Sequence, residues 1–124
     1  MDEKDRYEAG MAARRAVLGE SYVERSVKNR TPFNEEFQEL ISRYAWGEIW
    51  TRTAFDDRTR RLLVLAMTAA LGRWEEYRLH INAGLQAELT PQDIKELLLQ
   101  TAIYCGVPAA NTGFHHAQEF LPKA

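Results

Sequence analysis

The sequence predicts an all-α protein, a single-domain helical array of about six to seven helices over residues 1–124. A chain of 124 residues has the usual length of one domain and can bury a hydrophobic core. Glycines and prolines fall where helices would begin or end, and no Gly/Ser/Pro-rich linker or internal repeat appears. Apolar residues recur at helical spacing, and no β-hairpin signal such as Asn-Gly competes.

The first half of the chain predicts two helices and a connection. Residues 2–18 are rich in Glu, Lys, Arg and Ala, and Gly19 follows as a natural end for this helix. We expect Asn34 to cap a second helix that runs to about Ala45, because apolar residues recur there at helical spacing. The aromatic-rich segment 46–55 has neither a helical nor a strand period, so we interpret it as an irregular, partly buried connection.

The second half begins with two further predicted helices. Asp56 or Asp57 can cap a central helix with a wide apolar face, which ends near Gly72. The next helix runs from residue 74 to about residue 86. It carries Glu76, His80 and Gly84 at four-residue spacing, which places the three on one face.

The last two predicted helices have clear boundaries. Residues 90–93, with the sequence TPQD, read as an N-cap, a proline in the first turn and an acidic residue that completes a capping box. Gly106 is expected to end that helix, and Pro108 can open the last one.

Composition and charge exclude several classes of partner. The formal net charge of −2 gives no electrostatic reason to expect nucleic acid or an anionic membrane. The longest apolar stretch, Leu62 to Leu71, is about half of the roughly twenty residues that a membrane helix needs. Cys105 is the one cysteine and residues 1–10 are too polar for a signal peptide, so we expect a cytoplasmic protein.

Four parts of the chain form a recognisable pattern: Thr31-Pro32-Phe33-Asn34, the segment RYAWGEIW at 43–50, the segment QTAIYCGVPAAN at 100–111, and His80. Together they resemble the gamma-carboxymuconolactone decarboxylase family. The resemblance covers nearly the whole chain, and the two long segments are unusual in composition. The wider family includes alkylhydroperoxidase-D-like proteins with a redox Cys-x-x-Cys beside a histidine. Here that region is RWEEYRLH, at 73–80, and without a thiol the dithiol chemistry cannot run.

The resemblance implies an alkylhydroperoxidase-D-like helical protomer in a ring-like homo-oligomer, a trimer or a hexamer. It also implies conversion of 4-carboxymuconolactone to 3-oxoadipate enol-lactone and carbon dioxide, in the protocatechuate branch of aromatic catabolism. No cofactor is expected, because the lactone carbonyl can accept the electron pair left by the departing carboxylate. Two alternatives stay open: decarboxylation of a related lactone acid, and a non-catalytic helical ligand-binding assembly.

Two residues are the catalytic candidates. His80 is the first candidate for the proton donor, since an unperturbed imidazole titrates near neutrality and Glu76, four residues earlier, could orient it. A lone helical histidine is otherwise more often structural. Glu48 lies between two tryptophans, where burial would raise its pKa and allow it to donate a proton or to orient a neighbour. The alternative for Glu48 is a partly exposed carboxylate paired with Arg52 or Arg43.

Four more residues are the candidates for substrate binding. Arg52 and Arg43 could bind a carboxylate through the planar guanidinium fork, although most arginines are simply solvated. Trp46 and Tyr104 could line the pocket, although core or subunit-interface positions are commoner for such aromatics.

No metal is expected. The set Glu76, His80 and His116 could supply three zinc ligands, but Glu-x-x-x-His is common by chance. His115 and His116 point about 100° apart on a helix, so one of them should face solvent. Cys105 is expected to be a small buried apolar residue.

Overall fold

The computed structural model of the chain describes residues 1–123, and these residues form seven α-helices and one π-helical segment, with no β-strand among them. The all-α prediction is confirmed. The elements are α1 (Glu3–Leu18), α2 (Glu20–Lys28), α3 (Glu35–Ile41), the π-helical segment (Ser42–Ile49), α4 (Asp57–Leu71), α5 (Trp74–Leu85), α6 (Pro91–Cys105) and α7 (Val107–Gln118).

Backbone contacts divide the chain into two compact units. The first unit is Met1–Asp57 and the second begins at Arg58. The single domain over residues 1–124 stays a prediction. None of the described helices is long and apolar enough to cross a membrane.

Helix α1 has the predicted boundaries, but the helix that follows it was missed. The Asp2 carboxylate accepts a hydrogen bond from the Asp5 backbone N–H at 2.8 Å, and Gly19 ends the helix with φ of +95°. Helix α2 begins directly after Gly19 and buries Val23 completely. Its apolar pattern is sparse, so the helical period was not visible. The acidic residue in its first turn and the basic residues in its last turn complement the helix dipole and were the available signal.

Helix α3 begins where predicted, after Asn34, but this residue does not act as a side-chain cap. Its Oδ1 atom instead accepts a hydrogen bond from the Thr31 backbone N–H at 2.8 Å. The Asn34 side chain therefore stabilises the turn that precedes the helix and leaves the first N–H groups of α3 to other partners.

The prediction of an irregular connection at 46–55 is wrong for its first part. The helical path continues without interruption from α3 into the π-helical segment up to Ile49, and turns and bends follow only from Trp50. The segment crosses α1 so closely that a Cβ atom at Gly10 would lie 2.8 Å from the Gly47 backbone nitrogen. Packing against α1 therefore decides the conformation of a sequence whose own period is ambiguous.

The second unit has one apolar core, built from helices α4 to α7. Its members are fully or almost fully buried side chains: Leu65, Ala69, Tyr77, Ile81, Leu89, Ile94, Leu98 and Ala117. The Tyr77 hydroxyl donates a hydrogen bond to the Gly113 carbonyl oxygen at 2.7 Å, so its one polar group is satisfied inside this core.

The predicted ends of the helices in the second unit agree with the structure. Both bonds of the capping box at the start of α6 are present, between Thr90 and Asp93. Gly72 and Gly106, with φ of +70° and +104°, follow α4 and α6 directly. Pro108 is the second residue of α7.

Candidate functional site

His80 lies inside the second unit. It is on the buried face of α5, where Tyr77, Ile81 and Gly84 are also buried, and only 5% of its surface is exposed. A buried titratable group among apolar neighbours needs a polar partner, and it is a recognised mark of a functional site.

Arg61 from α4 lies against the imidazole ring. Its Nη1 atom is 3.3 Å from Nδ1 of His80, and only 1% of Arg61 is exposed. A guanidinium group has N–H donors and no acceptor, so Nδ1 must offer its lone pair. The neutral imidazole that results carries its hydrogen on Nε2.

Glu88 binds the other edges of the same guanidinium group. Its Oε1 accepts from Arg61 Nε at 2.6 Å and its Oε2 accepts from Nη2 at 3.3 Å, which is a bidentate ion pair. The arginine stem passes over Gly84, where a Cβ atom would lie 2.7 Å from Arg61 Cδ and 2.7 Å from Leu89 Cδ1. The glycine one turn after His80 thus makes room for this arrangement.

Burial, and to a lesser extent the nearby positive charge of Arg61, lower the pKa of His80 to about 4. At neutral pH the ring is therefore uncharged in this structure. The expectation that an unperturbed imidazole serves as an acid near neutrality does not fit this environment, because the imidazolium form is scarcely populated there.

Glu76 and the candidate metal ligands are not gathered around His80. Glu76 is exposed, and Arg61 rather than Glu76 lies at Nδ1 of His80. Within residues 1–123, no three His, Cys, Asp or Glu side chains are grouped so that they could hold a metal ion, and the set Glu76, His80 and His116 is therefore not assembled. His115 is exposed and His116 is half-buried, as the helical spacing predicted.

Glu48 belongs to the π-helical segment of the first unit. Its side chain is 47% exposed and forms an ion pair with Arg6 of α1. The expected burial is absent, and the observed arrangement is the alternative, a partly exposed paired carboxylate, whose partner is Arg6 of α1 in place of Arg52 or Arg43.

The other predicted site residues of the first unit lie along or just after the same segment. Arg43 forms an ion pair with Glu3 at 3.1 Å, and Arg52 is exposed. Trp46 is buried and stacks on Trp50 with ring centroids 5.0 Å apart. The π-helical segment therefore places Trp46, Arg43 and Glu48 within two turns of one element, and π-helical turns are frequent at functional sites.

Tyr104 lies at the end of α6, where it lines a groove of about 440 Å³ between α4 and α6. The groove also includes Cys105, which is exposed, so the prediction of a buried cysteine is wrong. His80 is not among the residues that line this groove.

Arg61 and Glu88 are the residues of this site that the sequence reasoning missed. Arg61 stands four and eight residues before the buried Leu65 and Ala69, so the helical period already placed it on the core face. A cation in the first turns of a helix is also unfavourable next to the helix dipole, which is a second signal. Glu88 lies in the short connection after α5, and no periodic pattern points to it.

Comparison with known proteins identifies the family. The model of the carboxymuconolactone decarboxylase family matches residues 35–119. The chain is 43% identical to 4-carboxymuconolactone decarboxylase of Acinetobacter baylyi, over 96% of this chain and 89% of that protein. It is 38% identical to nitrosuccinic acid decarboxylase of Metarhizium robertsii, over 83% of this chain and 72% of that protein. A 4-carboxymuconolactone decarboxylase sequence of Pseudomonas putida is 56% identical over its full 48 residues, which cover 39% of this chain. The chain belongs to the carboxymuconolactone decarboxylase family.

Proposed function

We propose that this protein is a cofactor-independent carboxy-lyase that converts 4-carboxymuconolactone to 3-oxoadipate enol-lactone and carbon dioxide. The observation that carries the proposal is the 43% identity, over 96% of the chain, to a protein with this activity in its name. Membership of a decarboxylase family points to the same reaction class.

The reaction balances without a cofactor. The bond between the ring carbon and the departing carboxylate breaks, and carbon dioxide leaves. The electron pair moves through the conjugated C=C bond onto the lactone carbonyl oxygen and forms a dienolate, which then takes one proton on carbon. The protein must hold the remaining carboxylate, stabilise the charge on the lactone oxygen and allow the proton to arrive.

His80 is the proposed group that stabilises this charge. Because the ring is neutral with its hydrogen on Nε2, it can donate a hydrogen bond to the lactone oxygen as negative charge develops there. A single donor of this kind is worth about 10²- to 10³-fold in kcat. A neutral imidazole is a poor acid, so we assign this role to His80 in place of proton donation to carbon.

Glu48 is the second proposed catalytic residue. As a half-exposed carboxylate paired with Arg6, it is a candidate to relay the proton that carbon needs. Turnover by Glu48→Gln tests this role, because protonation from bulk solvent would leave kcat of this variant near normal. Loss of kcat with an unchanged KM would support Glu48 as the relay.

Four residues remain the proposed substrate-binding set. Arg52 and Arg43 supply the positive charge that a carboxylate requires, and Trp46 and Tyr104 supply aromatic surface. Arg43 pairs with Glu3 at 3.1 Å. Arg52 stands in the exposed turn that follows the aromatic segment. We rank Arg52 above Arg43 as the anchor because of this position, and expect Arg52→Ala to raise KM more than Arg43→Ala.

A second substrate class has a specific observation behind it. The relative from Metarhizium robertsii is named for nitrosuccinic acid, and a nitro group accepts an electron pair as a lactone carbonyl does. Both substrates are dicarboxylic acids that carry their own electron sink. A nitro acid or a related lactone acid is thus the alternative to 4-carboxymuconolactone.

We also propose that the protein is a cytoplasmic homo-oligomer, a trimer or a hexamer. Ile103 and Tyr104 are 80% and 82% exposed, and Leu71 and Val107 in the same unit are also exposed. Large apolar side chains in such number support a subunit interface. Light scattering at micromolar concentration tests this, and a monomer would contradict it.

The decisive experiment is a direct assay of the purified protein after treatment with a chelator. We expect 4-carboxymuconolactone to give carbon dioxide and enol-lactone in equal amounts, without any added nucleotide, flavin, thiamine or metal. A parallel assay with nitrosuccinic acid compares kcat/KM for the two classes. No turnover of either acid would favour the non-catalytic assembly, and activity restored by a metal alone would contradict the cofactor-free reaction.

A further inference from the structure

We propose that Arg61 and Glu88 are positioning residues that act through His80, because together they keep its imidazole neutral with the hydrogen on Nε2. The proposal rests on the function assigned to His80 above, since it specifies which ring nitrogen can serve the reaction.

The direction of the hydrogen bond between Arg61 and His80 determines which ring nitrogen carries the hydrogen. Arg61 Nη1 can only donate, and it lies 3.3 Å from Nδ1 of His80. Protonation of Nδ1 would place two N–H groups face to face at this distance, next to a buried positive charge. The contact therefore favours the lone pair on Nδ1, and the hydrogen of the neutral ring stands on Nε2.

Glu88 fixes the plane of the Arg61 guanidinium group. The two contacts of its carboxylate, at 2.6 Å and 3.3 Å, occupy Nε and Nη2 and leave Nη1 directed at the imidazole. A carboxylate bound at two points prevents the guanidinium group from rotating about its last bond. The 26% exposure of the Glu88 side chain, against 1% for Arg61, shows that the anchor approaches the buried arginine from the solvent side.

Glu88 also balances the buried positive charge of Arg61. A guanidinium group that is 1% exposed would be very unfavourable without an opposite charge, and Glu88 supplies one. Arg61 from α4 is the charged group that acts on the imidazole, while Glu76, one turn before His80 on α5, is exposed. Without Glu88, the arginine would turn toward water and the contact with Nδ1 would be lost.

The ¹⁵N chemical shifts of the two His80 ring nitrogens test the proposal directly. In the uniformly ¹⁵N-labelled protein at pH 7, we expect the His80 signals of a protonated Nε2 and an unprotonated Nδ1, assigned by their loss in His80→Gln. Arg61→Met keeps a long apolar stem but removes the donor, and Glu88→Gln keeps the shape but removes the charge. Both variants should shift the Nδ1 signal and move protonation of His80 to higher pH.

Steady-state kinetics of the same variants provide a second test. Because the two residues act through His80, we expect kcat to fall about tenfold or more in both variants while KM changes much less, as for a histidine that loses its correct tautomer. Adding the same substitutions to His80→Gln should cause little further loss, since the group through which they act is already absent.

A matched control exists in the same unit. Arg78 Nη1 lies 3.2 Å from Nδ1 of His116 and its Nη2 lies 2.6 Å from Glu119 Oε2. Arg78→Met and Glu119→Gln remove the same chemical groups at a half-exposed position, and they should change neither the His80 signals nor kcat.

Gly84→Ala provides a test that leaves every charged group in place. Its Cβ would meet Arg61 Cδ at 2.7 Å, so the stem must move and the contact with Nδ1 must weaken. The variant should shift the His80 Nδ1 signal even if Arg61→Met does not fold.

Two results would overturn the proposal: a protonated Nδ1 in the wild-type protein at pH 7, or His80 signals that stay unchanged in Arg61→Met, Glu88→Gln and Gly84→Ala. These results differ from a failure of the proposed function. If His80→Ala keeps full turnover, the catalytic role of His80 is wrong, but the nitrogen signals still decide whether Arg61 and Glu88 fix its hydrogen.

Discussion

Two histidines of the second unit meet the same set of groups in different surroundings. His80 and His116 each have an arginine Nη1 atom about 3.2 to 3.3 Å from Nδ1, and each arginine also binds a glutamate. Arg61 is buried beside His80, whereas the Arg78 and Glu119 side chains are 34% and 59% exposed and His116 stacks on Trp74. The chemical pattern is the same, so burial is the variable that separates the two.

The difference teaches that an arginine–histidine contact acquires consequences only where water is excluded. In a low-dielectric site an ion pair and a hydrogen bond act strongly on each other, and an unsatisfied group is costly. At the surface the same charges are screened, and exposed ion pairs contribute little. We therefore expect His80 to be sensitive to its neighbours and His116 to be tolerant of changes in its own.

The largest expected effect is on turnover. His80→Ala should lower kcat by about 10²- to 10³-fold, because it removes the donor to the lactone oxygen. His80→Gln should retain more activity than His80→Ala, since an amide N–H can still donate a hydrogen bond. Steady-state kinetics of both variants beside His116→Ala test the comparison. Equal losses at His80 and His116, or a His80→Gln variant as inactive as His80→Ala, would contradict it.

A second expected effect is on the pH dependence of stability. The pKa of His80 is about 4 in the folded protein, against an ordinary value of 6.5, so the unfolded chain binds more protons between these values. The free energy of unfolding should therefore fall as the pH falls from about 6.5 to about 4, by about 3 kcal/mol in total from this residue.

Chemical denaturation at a series of pH values measures this contribution as the difference between the wild-type protein and His80→Gln. The variant should show a shallower slope over the same interval, because it lacks the titrating ring. Parallel curves would mean that the folded imidazole titrates as it does in the unfolded chain.

A smaller effect is expected on stability at neutral pH. Arg61→Met should lower the free energy of unfolding by about 2 kcal/mol, less than the loss for a fully buried pair, because the 26% exposed Glu88 can still reach water. Arg78→Met should change the free energy of unfolding by no more than the error of the measurement. Denaturant midpoints with unchanged m-values test both, and a larger loss at Arg78 would reverse the comparison.

The smallest expected effect concerns the connection that carries Glu88. Thr90 caps α6 two residues later, and its Oγ1 accepts from the Asp93 backbone N–H at 3.2 Å. Thr90→Ala should cost about 1 kcal/mol, the usual value of an N-cap. If the cap also holds Glu88 in place, the variant should shift the His80 ring signals slightly, whereas Thr31→Ala, in a turn of the first unit, should not.

The sequence by itself determined the fold class and most helix ends. Helical spacing and local chemistry were sufficient for α1, α5, α6 and α7, because caps, positive-φ glycines and first-turn prolines act within a few residues. It also pointed to His80 as a catalytic candidate, through a resemblance that needed no coordinates. Cys105 shows the limit, since the sequence did not reveal that the end of α6 is exposed.

The tertiary structure alone decided the state of the site. Arg61 and His80 are 19 residues apart on different helices, and their contact is the observation that favours the hydrogen on Nε2. In the structure, Arg61 rather than Glu76 contacts Nδ1 of the His80 ring. Glu48 forms an ion pair with Arg6 of helix α1. Such pairings depend on how the helices pack, and the pKa of a buried group depends on the groups around it in space. Sequence spacing describes only neighbours on the same helix.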